Sequence, residues 1–442
     1  MTDSSKQAVD SIAPRESRVM GFWQCWGMSV GVMVGSGIFL LPTVLAPFGS
    51  ISLLGWVATS IGAILLALIL GRLAQKTRRS GGPYVYAQEA FGDLTGFLIA
   101  WGYWLSIVFA MAAVSVAFAG YLGALIPALG SSNVVQALVA GAGIWVLTGI
   151  NLRSISEAAV VQLALTVLKL IPLLVIIGLA FTSGSYANIP EFNPENRSVV
   201  SALATTALLT MWAFAGVEAA VIPAGNVVNP RRTIPRAVIS AALTVAALYI
   251  LVTLSIMMLV PVEKLVVSQA PFVDAAQKLG PWGSGFIALG VVIATAGGLN
   301  GNIFLSAQMP MAVAMDGLAP KRFTKLNKGN VPSFSLLLSS FIATCLLLLN
   351  FSDGLVGAFT FLISMSTLAV LTVYAISALA ELRSSWRSAH GWVFVALLSF
   401  AYTILAAAGS GLVVLAYGLI LFIIGIVFFY AFKRLKPVTL KQ

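Results

Sequence analysis

Apolar runs of about 20 residues recur along this 442-residue chain, each long enough to cross the hydrocarbon of a bilayer. The polar segments between them are short, so the whole length reads as one membrane-embedded unit with no room for a soluble domain. Composition agrees, with 59% hydrophobic residues, 9% charged residues and a mean hydropathy of +0.99. A soluble domain carries about 25% charged residues. The expected fold class is an all-α polytopic membrane protein.

Twelve transmembrane helices are predicted, near 20–46, 51–74, 92–123, 132–151, 156–182, 199–225, 234–260, 283–315, 333–351, 355–380, 390–408 and 411–432. They form one domain over 18–432, between polar tails at 1–17 and 433–442. The first apolar run is far longer than a signal-peptide core and no small-residue cleavage site follows it, so no cleaved signal is expected. Basic residues test the count. With both termini cytoplasmic, 21 of the 25 Lys and Arg residues fall in cytoplasmic segments. Only Arg197, Lys264 and Lys278 lie outside, and Lys169 is left within a span. Positive-inside topology in the inner cell membrane, facing anionic lipid, accounts for the formal charge of +11 without a nucleic-acid partner. Cys25 and Cys345 sit in apolar runs without metal-ligand spacing and read as small core residues.

Within the first span, Val34-Gly35-Ser36-Gly37-Ile38 interrupts the apolar run with a helix-weakening element. Backbone groups freed at mid-membrane are costly unless they line a cavity or bind something, so the break marks a binding site. Two ionisable residues stand deep in predicted hydrocarbon, Lys169 in the fifth span and Glu218 in the sixth. A buried ion pair between packed helices is the structural explanation for them. A proton, ion or substrate site is the functional one, favoured because Glu218 directly follows a second weak point at Ala215-Gly216.

The interrupted spans lie five helices apart, as two five-helix repeats would place them. The repeats run over about 20–182 and 199–380, with two additional helices at 390–432. Inverted repeats with broken first helices bind solute and ions at the midplane, half-helix N-termini attracting carboxylates and the opposite ends attracting cations. The residues alone therefore point to a secondary transporter for a small polar solute with a carboxylate. An enzyme is disfavoured because the single His390 has no Asp, Glu or Cys at ligand spacing. A channel is disfavoured because no polar rings or pore-loop filter recur.

Gly35-Ser36-Gly37-Ile38-Phe39-Leu40-Leu41-Pro42, Gly81-Gly82-Pro83-Tyr84-Val85-Tyr86-Ala87 and Trp212 through Glu218, followed by Asn229-Pro230-Arg231-Arg232-Thr233-Ile234-Pro235, carry a resemblance. They are similar to the amino acid–polyamine–organocation superfamily, and most to its bacterial basic amino acid/polyamine antiporters of the arginine/agmatine type. The resemblance implies a LeuT-type fold with a 5+5 inverted repeat, broken helices 1 and 6, and alternating access. It implies that the solute's carboxylate meets the backbone at Ser36 and Gly37, and its amine the carbonyls around Val32 and the sixth-span break. Gly35, Ser106, Ile107, Met111, Ala215, Asn302 and Ser364 fall among its substrate-binding positions. Trp212 and Tyr103 fall at its gates, and Glu218 and Lys169 at its gating or coupling positions.

Three positions depart from the antiporters. Met111 stands in place of a substrate-contacting asparagine, Asn302 in place of a tryptophan, and Lys169 in place of a small or apolar residue. A lysine there resembles proton-coupled permeases and exchangers of the superfamily, where its ammonium occupies the place of a sodium ion. The resemblance thus implies no cofactor and no sodium, and it admits proton coupling. The expected activity is exchange of a cationic or small neutral amino acid for a related amino acid or amine. Proton-coupled, sodium-independent symport is the second reading and polyamine/amino acid exchange the third. A monomer or homodimer in the lipid bilayer is expected.

Overall fold

The computed structural model describes residues 21–35, 37–76, 82–153, 158–221, 227–329, 331–350 and 354–434. Ser36 and most of both predicted tails lie outside the described residues. In hydrocarbon a segment has to satisfy its own backbone N–H and C=O groups, and the helix does so within one segment. The described apolar runs are accordingly helical, and no strand occurs among the described residues.

The predicted first span is two helices, α1 (Phe22–Met33) and α2 (Gly37–Leu45), bent by 43° at the Gly-Ser-Gly segment. Then come α3 (Ile51–Lys76), the short α4 (Pro83–Phe91), α5 (Asp93–Leu125), α6 (Asn133–Asn151), α7 (Ala158–Ser183) and α8 (Val199–Phe214). After a 3₁₀ turn at Val217–Ala220 follow α9 (Pro230–Leu259), α10 (Pro281–Met315), α11 (Ser333–Asn350), α12 (Gly354–Ser385), α13 (His390–Ala408) and α14 (Gly411–Arg434). Among the described residues nine helices are long and apolar enough to cross a membrane, or ten with α1 and α2 counted as one span. The stretches 168–183 of α7 and 333–349 of α11 are shorter apolar helices.

Packing divides the helices into two groups. The first contains the broken pair α1 and α2 with α3, α8 and α9; α9 lies along α3 and α1, and α3 lies along α8. The second contains α5, α6, α10 and α11, with α5 against α10 as its main seam. α7 and α12 bridge the groups: α7 packs on α1, α9 and α10, and α12 packs on α5, α8 and α3. The groups pair helices five spans apart. α5 is the most buried span, whereas α14 exposes most of its surface, as a lipid-facing helix does.

Each end of the bundle has its own polar ties. At the end reached by the C-terminus of α3, Lys76 Nζ donates to Glu381 Oε1 and Oε2 of α12 at 2.8 and 2.7 Å, and the Tyr84 hydroxyl of α4 donates to the Asp316 carboxylate after α10. At the other end, the segment between α9 and α10 closes over α2. There Thr43 Oγ1 donates to Ser268 O at 2.9 Å and Tyr121 Oη to Phe39 O at 2.6 Å, while the Phe39 ring meets Phe272 edge-on at 5.1 Å. Phe39, Tyr121 and Phe272 are fully buried, so this end is shut above α2.

Close helix contact depends on small residues. At Gly55 of α3 a Cβ would overlap the Thr206 hydroxyl of α8, so this crossing admits glycine and little else. Gly55→Leu is expected to lower stability by about 1–3 kcal/mol through overpacking. The thermal unfolding midpoint of the detergent-solubilised protein measures it, and an unchanged midpoint would contradict the packing described.

Candidate functional site

The broken helices meet. α1 ends at Met33, where Val34 still donates to Val30 O at 2.7 Å and Gly35 N turns back to Met33 O at 2.7 Å. α8 ends at Phe214; Ala215 is extended and Gly216 takes φ +108°, a conformation open to glycine and strained for other residues. A Cβ on Gly216 would overlap the Val32 side chain, and a Cβ on Gly37 would stand 3.1 Å from the Trp212 ring. The glycines of one break thus give space to the other. This is the physical reason for glycine at 37 and 216, beyond their weak helix propensity.

Several of the backbone groups freed at the breaks have side-chain partners. Tyr249 of α9, fully buried, donates its hydroxyl to Met33 O at 2.6 Å and lies 3.3 Å from Ala213 O, so one side chain spans both breaks. Its ring packs against Trp56 at 5.1 Å and Phe214 at 5.7 Å, which fixes the hydroxyl's direction. Glu218 Oε2 accepts from Gly216 N at 3.2 Å and from the Tyr374 hydroxyl of α12 at 2.7 Å, with the Tyr103 hydroxyl of α5 directed at the same carboxylate. Lys169 Nζ donates to Gly31 O of α1 at 3.4 Å. Both ionisable residues are 1% exposed, and among the described residues no ion pair joins them. The buried-pair explanation is thereby corrected. Each residue instead holds the backbone of a different broken helix.

Between the breaks and α5, α10 and α12 lies a cavity of about 70 Å³. Of the residues singled out from sequence, Val32, Gly35, Gly37, Tyr103, Ser106, Ile107, Trp212, Ala215, Glu218 and Asn302 line it. Ser36 lies outside the described residues. Met111, Ser364 and Lys169 are not on its wall. The cavity-lining face of α5 runs 103, 106, 107, 110, 114, a helical stripe that turns Met111 into the core at 0% exposure. On α12 the lining residue is Ser366 instead of Ser364, whose hydroxyl is spent on Thr360 O at 2.7 Å in its own helix. Lys169 stands behind α1.

Gly216, singled out as a helix-weak point, also lines it, and other lining residues were not singled out: Met33, Ala110, Val114, Ala213, Gly298, Leu305 and Ser366. The helical period beginning at Tyr103 points to Ala110 and Val114. Tyr249 and Tyr374, which hold the site from behind, are signalled only as lone hydroxyls in apolar runs. The Trp212 indole N–H donates to Ser366 Oγ at 3.2 Å, and Ser366 Oγ donates to Ser106 O at 2.7 Å, tying α8 through α12 to α5. The Trp212 ring also meets Phe359 edge-on at 5.4 Å. Asn302 Nδ2 donates to Gly298 O at 2.9 Å, one turn back in α10. Chemically the site offers interrupted backbone, one carboxylate, a few neutral polar groups and an aromatic plane.

Tyr249→Phe removes a buried hydroxyl and leaves Met33 O without its donor from α9, at an expected cost of about 1–3 kcal/mol. The thermal midpoint of the variant checks this, with the ring packing against Trp56 and Phe214 retained as an internal control. A midpoint equal to that of the parent protein would show that the hydroxyl does not hold the break.

Comparison with known proteins agrees with the architecture. The family model described as "Amino acid permease" matches residues 20–437. The chain is 31% identical to the cadaverine/lysine antiporter of Escherichia coli K12 over 340 residues, 75% of each protein. It is 31% identical to the arginine/ornithine antiporter of Pseudomonas aeruginosa over 368 residues, covering 79% of this chain and 75% of that one. It is 30% identical to the putrescine transporter PotE of Escherichia coli K12 over 424 residues, covering 93% and 95%. With the family model spanning nearly its whole length and relatives aligned over three quarters or more, this multi-pass helical chain belongs to the amino acid permease family of membrane transporters.

Proposed function

We propose that the protein is a secondary active amino acid carrier that works by alternating access and exchanges one amino acid, cationic or small neutral, for a related amino acid or amine. The observation that carries this reading is the meeting of two broken helices at a cavity, with Trp212 against one break and Glu218 on the other. The names of the antiporter relatives support exchange over symport. Proton-coupled, sodium-independent symport remains the second reading, favoured by Lys169 on Gly31 O, where a fixed ammonium would stand in for a metal cation. Polyamine exchange ranks third, since a dication gains most from several acidic groups and Glu218 is the one carboxylate on the cavity wall among the described residues.

In this reading the chain has twelve spans in a 5+5 inverted repeat of LeuT type, in the inner membrane with both termini cytoplasmic, as monomer or homodimer. The division into two helix groups that pair spans five apart supports the repeat. The amino acid's carboxylate would sit on the backbone of Ser36 and Gly37 at the start of α2, where the N–H groups of a helix N-terminus favour negative charge. Its amine would meet carbonyls around Val32 and the Ala215-Gly216 break. Trp212 would swing over the solute as a gate, releasing Ser366 as it moves. With cytoplasmic termini, the shut end above α2 is the outer one, so the cavity exchanges with the cytoplasm when α1 moves.

Glu218 is the coupling acid in this scheme. Its carboxylate holds Gly216 of the sixth-span break and Tyr374 of α12, so a change in its charge alters contacts on both moving elements. Glu218→Gln in proteoliposomes is expected to flatten the pH dependence of uptake and to slow exchange. Unchanged uptake with an unchanged pH profile would rule out that role.

A further inference from the structure

We infer that the solute is a small neutral amino acid, in the range from alanine to valine, and neither a basic amino acid nor a polyamine; this narrows the carrier reading above and rests on it. The wall facing the breaks is built by Ile107, Ala110 and Val114 of α5 and Leu305 of α10, all apolar. The neutral polar groups beside it are Ser106, Asn302, Ser366 and Tyr103, whose hydroxyl is directed at Glu218. Asn302 commits its N–H to Gly298 O, and Ser366 links Trp212 to Ser106 O.

A cationic end group pressed against that wall would lose its water to methyl and methylene groups, with neutral acceptors alone to replace it. Glu218 does not meet the need. It lies at the break, where the solute's own backbone belongs, and its carboxylate is already held by Gly216 N and Tyr374. The Lys169 ammonium on Gly31 O adds a like charge behind α1, which disfavours a second cation nearby. A cation–π contact with Trp212 returns less than the hydration shell of an unpaired ammonium. A neutral side chain meets none of these penalties.

Size points the same way. A cavity of about 70 Å³ holds roughly five to seven waters at 10–15 Å³ each. That favours a short side chain over the long ones of arginine and lysine.

The test is counterflow with the full chain in proteoliposomes loaded with unlabelled alanine. Labelled alanine should accumulate saturably, serine and valine should compete, and arginine, lysine and putrescine should compete about tenfold more weakly or less. If arginine, lysine or putrescine exchanges as well as alanine, the neutral assignment is overturned and the carrier reading stands. If none of the amino acids drives counterflow, both are overturned. Ile107→Ala provides a second measurement. Enlarging the α5 wall should shift competition toward leucine over alanine by about tenfold, and an unshifted ratio would overturn the placement of the side chain on that wall.

Discussion

Everything at this site depends on one constraint: backbone N–H and C=O groups freed inside hydrocarbon have to find partners. The chain breaks two helices where they meet and supplies partners for them from α7, α9 and the sixth-span break itself. Tyr249 of α9 serves Met33 O and approaches Ala213 O, Lys169 of α7 serves Gly31 O, and Glu218, braced by Tyr374 of α12, serves Gly216 N. Tyr249 and Lys169 reach in from α9 and α7, and Glu218 ties its own break to α12, so a shift of any one of these helices changes what the breaks can bind. A site assembled in this way is coupled to helix packing by construction, the physical requirement for a carrier that changes access as it binds and releases.

The two ionisable residues divide the work. Lys169 holds the α1 side and Glu218 the α8 side, with no ion pair between them among the described residues. If they were paired, each would neutralise the other and leave the breaks to water. Kept apart, each charge is aimed at backbone dipoles of the opposite sense: the ammonium at a carbonyl, the carboxylate at an amide N–H. The Trp212–Ser366–Ser106 chain then links the sixth-span break to α12 and α5 through neutral hydrogen bonds.

Much of this was legible in the sequence, for physical reasons. Apolar runs separated by basic turns declare helices, because the bilayer leaves few other solutions. Gly35, Gly37 and Gly216 declare the breaks, because glycine inside a span weakens the helix and has to be repaid by contact. The α5 face was partly legible: Tyr103, Ser106 and Ile107 lie on the cavity, while Met111 is rotated off the stripe that continues through Ala110 and Val114. A motif aligned from distant relatives fixes a helix, but the face it presents depends on packing against α10 and α12. Ser364 and Ser366 differ by the same rotation. Tyr249 was illegible as a partner of the breaks, since nothing local to α9 reveals that its hydroxyl meets a carbonyl 216 positions away.

The most direct measurement of the central claim, that the first break seats a carboxylate, is thermal stability of the purified full chain with α-amino acids and with the amines left by their decarboxylation. A ligand that binds only the folded protein stabilises it by about 2.7 kcal/mol at a hundred times its dissociation constant. The account predicts a larger rise in the unfolding temperature with the amino acids than with the matching amines. Equal stabilisation by an amine that lacks the carboxylate would contradict it.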